Sequence, residues 1–116
     1  MRRLVALLWT VGLFAATLTP GTYVPSVPIL SFDKAVHVAL FFGFAMLWLA
    51  LYPTRRRVVF IGGLVVGVAI EMLQNWLPID RSGDIYDLVA NTIGLLLALG
   101  VSALLRRGAT AREPAA

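Results

Sequence analysis

Residues 85–105 read IYDLVANTIGLLLALGVSALL, and after Asp87 no side chain in this run can carry a charge. A helix that crosses a bilayer needs about 20 mostly apolar residues, and this stretch has 21. Backbone amides in hydrocarbon must be paired internally, so a spanning segment is a helix or part of a closed barrel. Barrel strands alternate apolar and polar residues with a period of two. LLLALGVSALL does not alternate, so the segment is a helix.

Three further stretches have the same character. They are 4–18, 35–52 with His37 as its one ionisable group, and 58–77, interrupted by Glu71, Gln74 and Asn75. The expected fold is all-α: an integral membrane bundle of four transmembrane helices at about 4–19, 34–52, 57–77 and 84–105. Composition agrees. The chain has 116 residues, 59% apolar and 14% charged, and a mean hydropathy of +0.86. Soluble domains carry about 25% charge, and a chain this short has no core large enough to hide so many apolar side chains. The absence of cysteine excludes a disulfide scaffold, a thiolate zinc site and a cysteine nucleophile. Pro53 and Pro78 stop the second and third helices. One domain is expected over 1–116, with its core at 4–105 and a disordered cytoplasmic tail at 106–116. Arg2 and Arg3 before an apolar run also fit a signal peptide. The sequence Thr17-Leu18-Thr19-Pro20 lacks the small-x-small cleavage pattern, so the first segment is read as a retained helix.

Charge fixes an orientation. Of the ten basic residues, eight (Arg2, Arg3, Arg55, Arg56, Arg57, Arg106, Arg107 and Arg112) belong to one end of such a bundle. The positive-inside rule puts that end, with both termini, in the cytoplasm. These arginines flank spans, where anionic headgroups attract them, so the basic balance does not indicate nucleic acid. Five of the six acids, Asp33, Glu71, Asp80, Asp84 and Asp87, belong to the opposite, outer end.

The polar residues of the outer end form a pattern. Asp33 and His37 are four apart and share a helix face. Asp84, Asp87 and Asn91 share another. Glu71 and Asn91 each lie seven residues inside a helix end, about 10 Å deep, and are expected at one level. Gly63, Gly67, Gly94 and Ala98 form small stripes that predict a close hairpin of the third and fourth helices, with Glu71 and Asn91 at its seam. Spacing does not place His37 against Glu71. Each residue also has an ordinary reading. Asp33 and Asp84 suit N-caps, and Asp87 suits a first turn. Lys34 suits snorkelling to headgroups, Gln74 an interfacial position, Arg81 a loop pair with Asp80, and the tryptophans the two interfaces. Glu71 is harder to set aside, since a charged side chain at mid-span costs about 2.5–3.5 kcal/mol.

Taken together, Asp33-Lys34-x-x-His37, then Glu71-x-x-Gln74, then Arg81-x-x-Asp84-x-x-Asp87-x-x-x-Asn91-x-x-Gly94 resemble the VanZ-like family of small membrane proteins. The resemblance covers about residues 4–105. It implies a bacterial cytoplasmic (inner) membrane protein, with a role in cell-envelope physiology or in resistance to teicoplanin-type glycopeptides. It marks Asp33, Lys34, His37, Glu71, Gln74, Arg81, Asp84, Asp87 and Asn91 as ligand-binding candidates.

The leading expectation is an outward polar pocket that binds an envelope ligand: a lipid headgroup, a peptidoglycan precursor or a glycopeptide. Membrane lipids are expected partners and nucleic acid is not. An enzyme acting on an envelope lipid or phosphate ester is the alternative, with Glu71 or His37 as catalytic candidates. No resident cofactor and no metal motif is expected, although Mg²⁺ or Ca²⁺ suits the oxygen ligands under that alternative. A small proton or solute carrier is a third reading, and it needs a homo-oligomer built on the glycine stripes.

Overall fold

The computed structural model describes residues 1–19, 31–79 and 85–112, and among them the chain forms four helices and no strand. These are α1 (Arg2–Thr17), α2 (Ser31–Leu51), α3 (Arg56–Trp76) and α4 (Ile85–Arg112). The all-α expectation holds. Three segments are long and apolar enough to cross a membrane: Lys34–Leu51, Arg56–Trp76 and Ile85–Ala109. At 16 residues, α1 is about 24 Å long, short of a hydrocarbon core of about 30 Å.

Two boundaries differ from the sequence reading. α1 ends at Thr17, two residues early, where the Thr17 hydroxyl donates to the Leu13 carbonyl oxygen one turn back. α4 does not stop at 105 but continues to Arg112, so most of the expected tail is helical. The residues that follow Leu105 include Arg106, Arg107, Ala109, Ala111 and Arg112, which are strong helix formers. The first proline after them is Pro114, which disfavours helix at the residue before it.

α2 and α4 form the most extensive pairing, and they are parallel. Successive contacts climb together, Lys34 to Asp87 and His37 to Asn91. One further turn along, Gly94 lies directly on the α2 backbone, where a Cβ would overlap the Val38 carbonyl oxygen. Gly94 is the residue that lets these two helices meet. The expected stripe on α4 therefore faces α2, and its assignment to α3 was wrong for this residue.

α3 and α4 form the expected antiparallel hairpin. A Cβ on Gly63 would strike the Leu95 methyls, and one on Gly67 would stand 3.0 Å from Asn91 Nδ2. Lower down, Arg56 donates to Ser102 Oγ at 2.8 Å and to the Leu99 carbonyl oxygen. The register is therefore Arg56–Ser102, Gly63–Leu95, Gly67–Asn91. Continued by one turn, it sets Glu71 level with Asp87. The expected match of Glu71 with Asn91 is off by a turn, because the last turn of α3 rises past the first residue of α4.

α1 packs on α2. The Trp9 indole lies over Gly43 and donates to the Leu40 carbonyl oxygen at 2.9 Å. Trp48 Nε1 donates to Thr10 Oγ1 at 3.1 Å. Both tryptophans join helices. The core between the four helices holds Leu13, Phe41, Phe44, Leu49, Ile70 and Leu95, with Ala98 fully buried beside them. Outward, Leu8, Val11, Ile61, Val65, Ile93 and Leu97 are exposed, as expected of a surface that faces lipid.

Candidate functional site

Polar side chains do not enter an apolar bundle without partners, since an unmet polar group there costs several kcal/mol or about that much in lost stability. Six buried polar side chains are present among the described residues: Thr17, His37, Glu71, Gln74, Asp87 and Asn91. All six lie toward the end where α1 and α3 finish and α2 and α4 begin. This is the end opposite Arg55–Arg57.

The α2–α4 seam holds the centre. Lys34 Nζ donates to Asp87 Oδ1 at 2.5 Å. The lysine side chain is 26% exposed and the aspartate 4%, so the cation is the more exposed partner of the pair. Asp87 also lies in the first turn of α4, where the helix dipole favours an anion. One turn deeper, fully buried, His37 Nδ1 pairs with Asn91 Oδ1 at 2.8 Å. An amide oxygen only accepts, so Nδ1 carries the hydrogen. The other ring nitrogen, Nε2, lies 3.9 Å from Asp87 Oδ2. Asp87 thus stands between Lys34 and His37.

α3 supplies the third wall. Its buried stripe runs Gly63, Gly67, Ile70, Glu71, Gln74. Gly67 leaves the room that the Asn91 amide occupies. Glu71 is buried one turn above it. Gln74 Nε2 donates to the Thr17 carbonyl oxygen at 2.7 Å and so ties α3 to the end of α1. Two buried amide atoms, Gln74 Oε1 and Asn91 Nδ2, have no hydrogen-bond partner among the described residues. Such atoms are few in folded proteins, and each invites a reason.

Of the nine candidates, Lys34, His37, Asp87 and Asn91 come together, and Glu71 and Gln74 line the adjoining wall. Lys34 pairs with Asp87 and stays partly exposed. Gln74 is buried near the end of α3. Position 33 lies in α2, but the Asp33 side chain is outside the described residues, as are Arg81 and Asp84. Among the described residues, no three histidine, cysteine, aspartate or glutamate side chains are grouped to hold a metal ion. Gly63, Gly67 and Gly94 each close on a neighbour within the chain.

Thr17 was missed in the sequence, where a threonine at the end of an apolar run carries no signal of its own. It contributes a main-chain acceptor at the end of α1.

An uncharacterized protein of Schizosaccharomyces pombe is 29% identical over 82 residues, 66% of this chain and 50% of that protein. The chain therefore spans about half the length of this curated relative. No solved structure matches it. The VanZ/LLP1 family profile matches residues 4–106, nearly the whole chain and every described residue of the polar cluster. The chain belongs to the VanZ/LLP1 family.

Proposed function

We propose that the Lys34–Asp87 and His37–Asn91 pairs, with Glu71 and Gln74 beside them, form a pocket that binds the polar part of a cell-envelope molecule. The observation that carries this reading is the pair of buried amide atoms, Gln74 Oε1 and Asn91 Nδ2, that bond no described residue. One is an acceptor and one a donor, set in a site that also carries a lysine. A headgroup with a hydroxyl or amide and a phosphate or carboxylate meets that set: the amides take the neutral groups and Lys34 the anion. The ligand classes are a lipid headgroup, a peptidoglycan precursor or a glycopeptide. In this reading α1 also crosses, as a short fourth span. The arginines and both termini lie in the cytoplasm, and the pocket opens outward from a bacterial inner membrane.

The test uses single cysteines in the naturally cysteine-free chain. Ala35→Cys sits beside Lys34 on an exposed position. Its labelling by a membrane-impermeant thiol reagent, in full-length protein in lipid nanodiscs, should slow when envelope lipid extract is added. The same cysteine combined with His37→Ala should label at one rate with or without extract. Equal rates in the unaltered pocket would remove the binding reading.

A second reading has one observation in its favour. His37 is oriented by Asn91 and faces Asp87, the arrangement of an imidazole held for proton transfer. An enzyme acting on an envelope phosphate ester would use it so. Product formation from envelope lipids that stops on His37→Gln would support this reading; an extract left unchanged by the protein would end it.

A further inference from the structure

The two orphaned amide atoms stand at different levels of the bundle, and their order has a direction. Asn91 Nδ2 is level with Gly67, 3.0 Å from where a Cβ on that glycine would be. Gln74 lies seven residues further along α3, about 10 Å nearer the end where α3 finishes. Side chains lean toward the start of their own helix, so the amides are closer together than the two levels, but their order is kept. The chemistry of each atom is set by its neighbour. Gln74 Nε2 is spent on the Thr17 carbonyl oxygen, which only accepts, so the atom left over is an acceptor. Asn91 Oδ1 is spent on His37 Nδ1, so the atom left over is a donor. Neither has a partner among the described residues. The deep position is therefore a donor and the shallow one an acceptor.

A ligand that meets both presents an acceptor deep and a donor above it. Both atoms are buried, so that ligand enters between the helices and is not one of the lipids that merely surround them. A diacyl phospholipid with its chains in the hydrocarbon has this order. Its ester carbonyls lie deepest and only accept. Its headgroup lies above and, where it ends in an ammonium or a hydroxyl, donates. The phosphate between them falls at the level of the Lys34–Asp87 pair, one turn above Asn91. A peptide or a sugar carries donors and acceptors at every level and has no such order. We infer that, given the binding reading above, the ligand of this pocket is a diacyl phospholipid with a donor-ended headgroup. Its ester carbonyl accepts from Asn91 Nδ2, and its headgroup N–H or O–H donates to Gln74 Oε1.

Thiol labelling of the full chain carrying Ala35→Cys, in detergent micelles, tests this with three added lipids of equal chain length. They are phosphatidylethanolamine, phosphatidylcholine and the dialkyl-ether form of phosphatidylethanolamine. All three are zwitterionic, so net charge does not separate them. The choline lipid lacks the headgroup N–H, and the ether lipid lacks the ester carbonyl. Phosphatidylethanolamine should halve the labelling rate at a micellar mole fraction about tenfold lower than either of the others, the discrimination that one unmet buried hydrogen bond brings. Gln74→Met should erase the preference over phosphatidylcholine and keep the preference over the ether lipid. Asn91→Asp, which keeps an acceptor for His37 Nδ1, should do the reverse. Equal behaviour of the three lipids in the unaltered pocket would overturn the inference. Should envelope lipid extract still slow labelling in that case, the pocket binds another envelope molecule and the binding reading stands; should extract also have no effect, both fall.

Discussion

Asp87 is the most constrained residue of the polar cluster. It is buried at the start of α4, bonded to Lys34 and flanked by His37. Removing one partner of a buried ion pair leaves the other charge stranded, which costs more than the pair itself contributes. Lys34 is partly exposed, so water recovers part of that loss. Lys34→Gln is expected to destabilise by about 1–3 kcal/mol, and Asp87→Asn by a similar amount. The double variant should lose clearly less than the two singles together, since it strands no charge. Unfolding in mixed micelles of rising SDS content measures all three. Asn91 belongs to the same argument. Asn91→Leu keeps the volume but removes the acceptor for His37 Nδ1, so it should lower the melting temperature even though the residue becomes more apolar.

At the scale of helices, glycine decides who touches whom. Gly94 permits the α2–α4 contact, and an added Cβ would meet main chain, which cannot swing aside. Gly94→Ala should therefore cost about 1–3 kcal/mol, the range of core overpacking. Gly100 lies on the same helix with open space around it. Gly100→Ala should be neutral or stabilising, by up to about 1 kcal/mol from helix propensity. Thermal melts of the two single variants give opposite signs if the packing is as described. The α3–α4 hairpin was legible in advance, because adjacent helices with a short connection must pair and the Gly63/Gly67 stripe marks the face. The parallel α2–α4 contact was not. Helices separated by a third leave no register in the sequence, so Gly94 was given to the nearer neighbour and His37 had no place. The level of Glu71 was misjudged for a related reason. Depth counted from Pro78 and Asp84 assumes that both helices end on one plane, and α3 overshoots. The connection between α3 and α4, with Arg81 and Asp84, is the part of the motif that the described residues do not reach.

For the whole molecule, the partition of charge makes a prediction about topology. The arginine end and the polar-cluster end are opposite, so cysteines at Thr54 and at residue 84 should label from opposite sides of a sealed membrane. A reagent confined to the outside should reach residue 84 and not position 54, and a tag before Met1 should share the side of position 54 if α1 crosses. A tag on the side of residue 84 would mean that α1 lies along the surface and the chain passes three times. The four-helix count was readable from hydropathy alone, since apolar length is written directly in composition. Whether sixteen residues suffice to cross depends on how far the bilayer thins around α1, and no residue of α1 encodes that.

The parallel embrace of α2 and α4 also bears on how the protein is made. Translation delivers Lys34 and His37 into the membrane some fifty residues before Asp87 and Asn91 leave the ribosome. Until the last helix arrives, the second must be shielded by the insertion machinery or left with its polar face against lipid. The polar seam between α2 and α4 can therefore close only after α4 has been made.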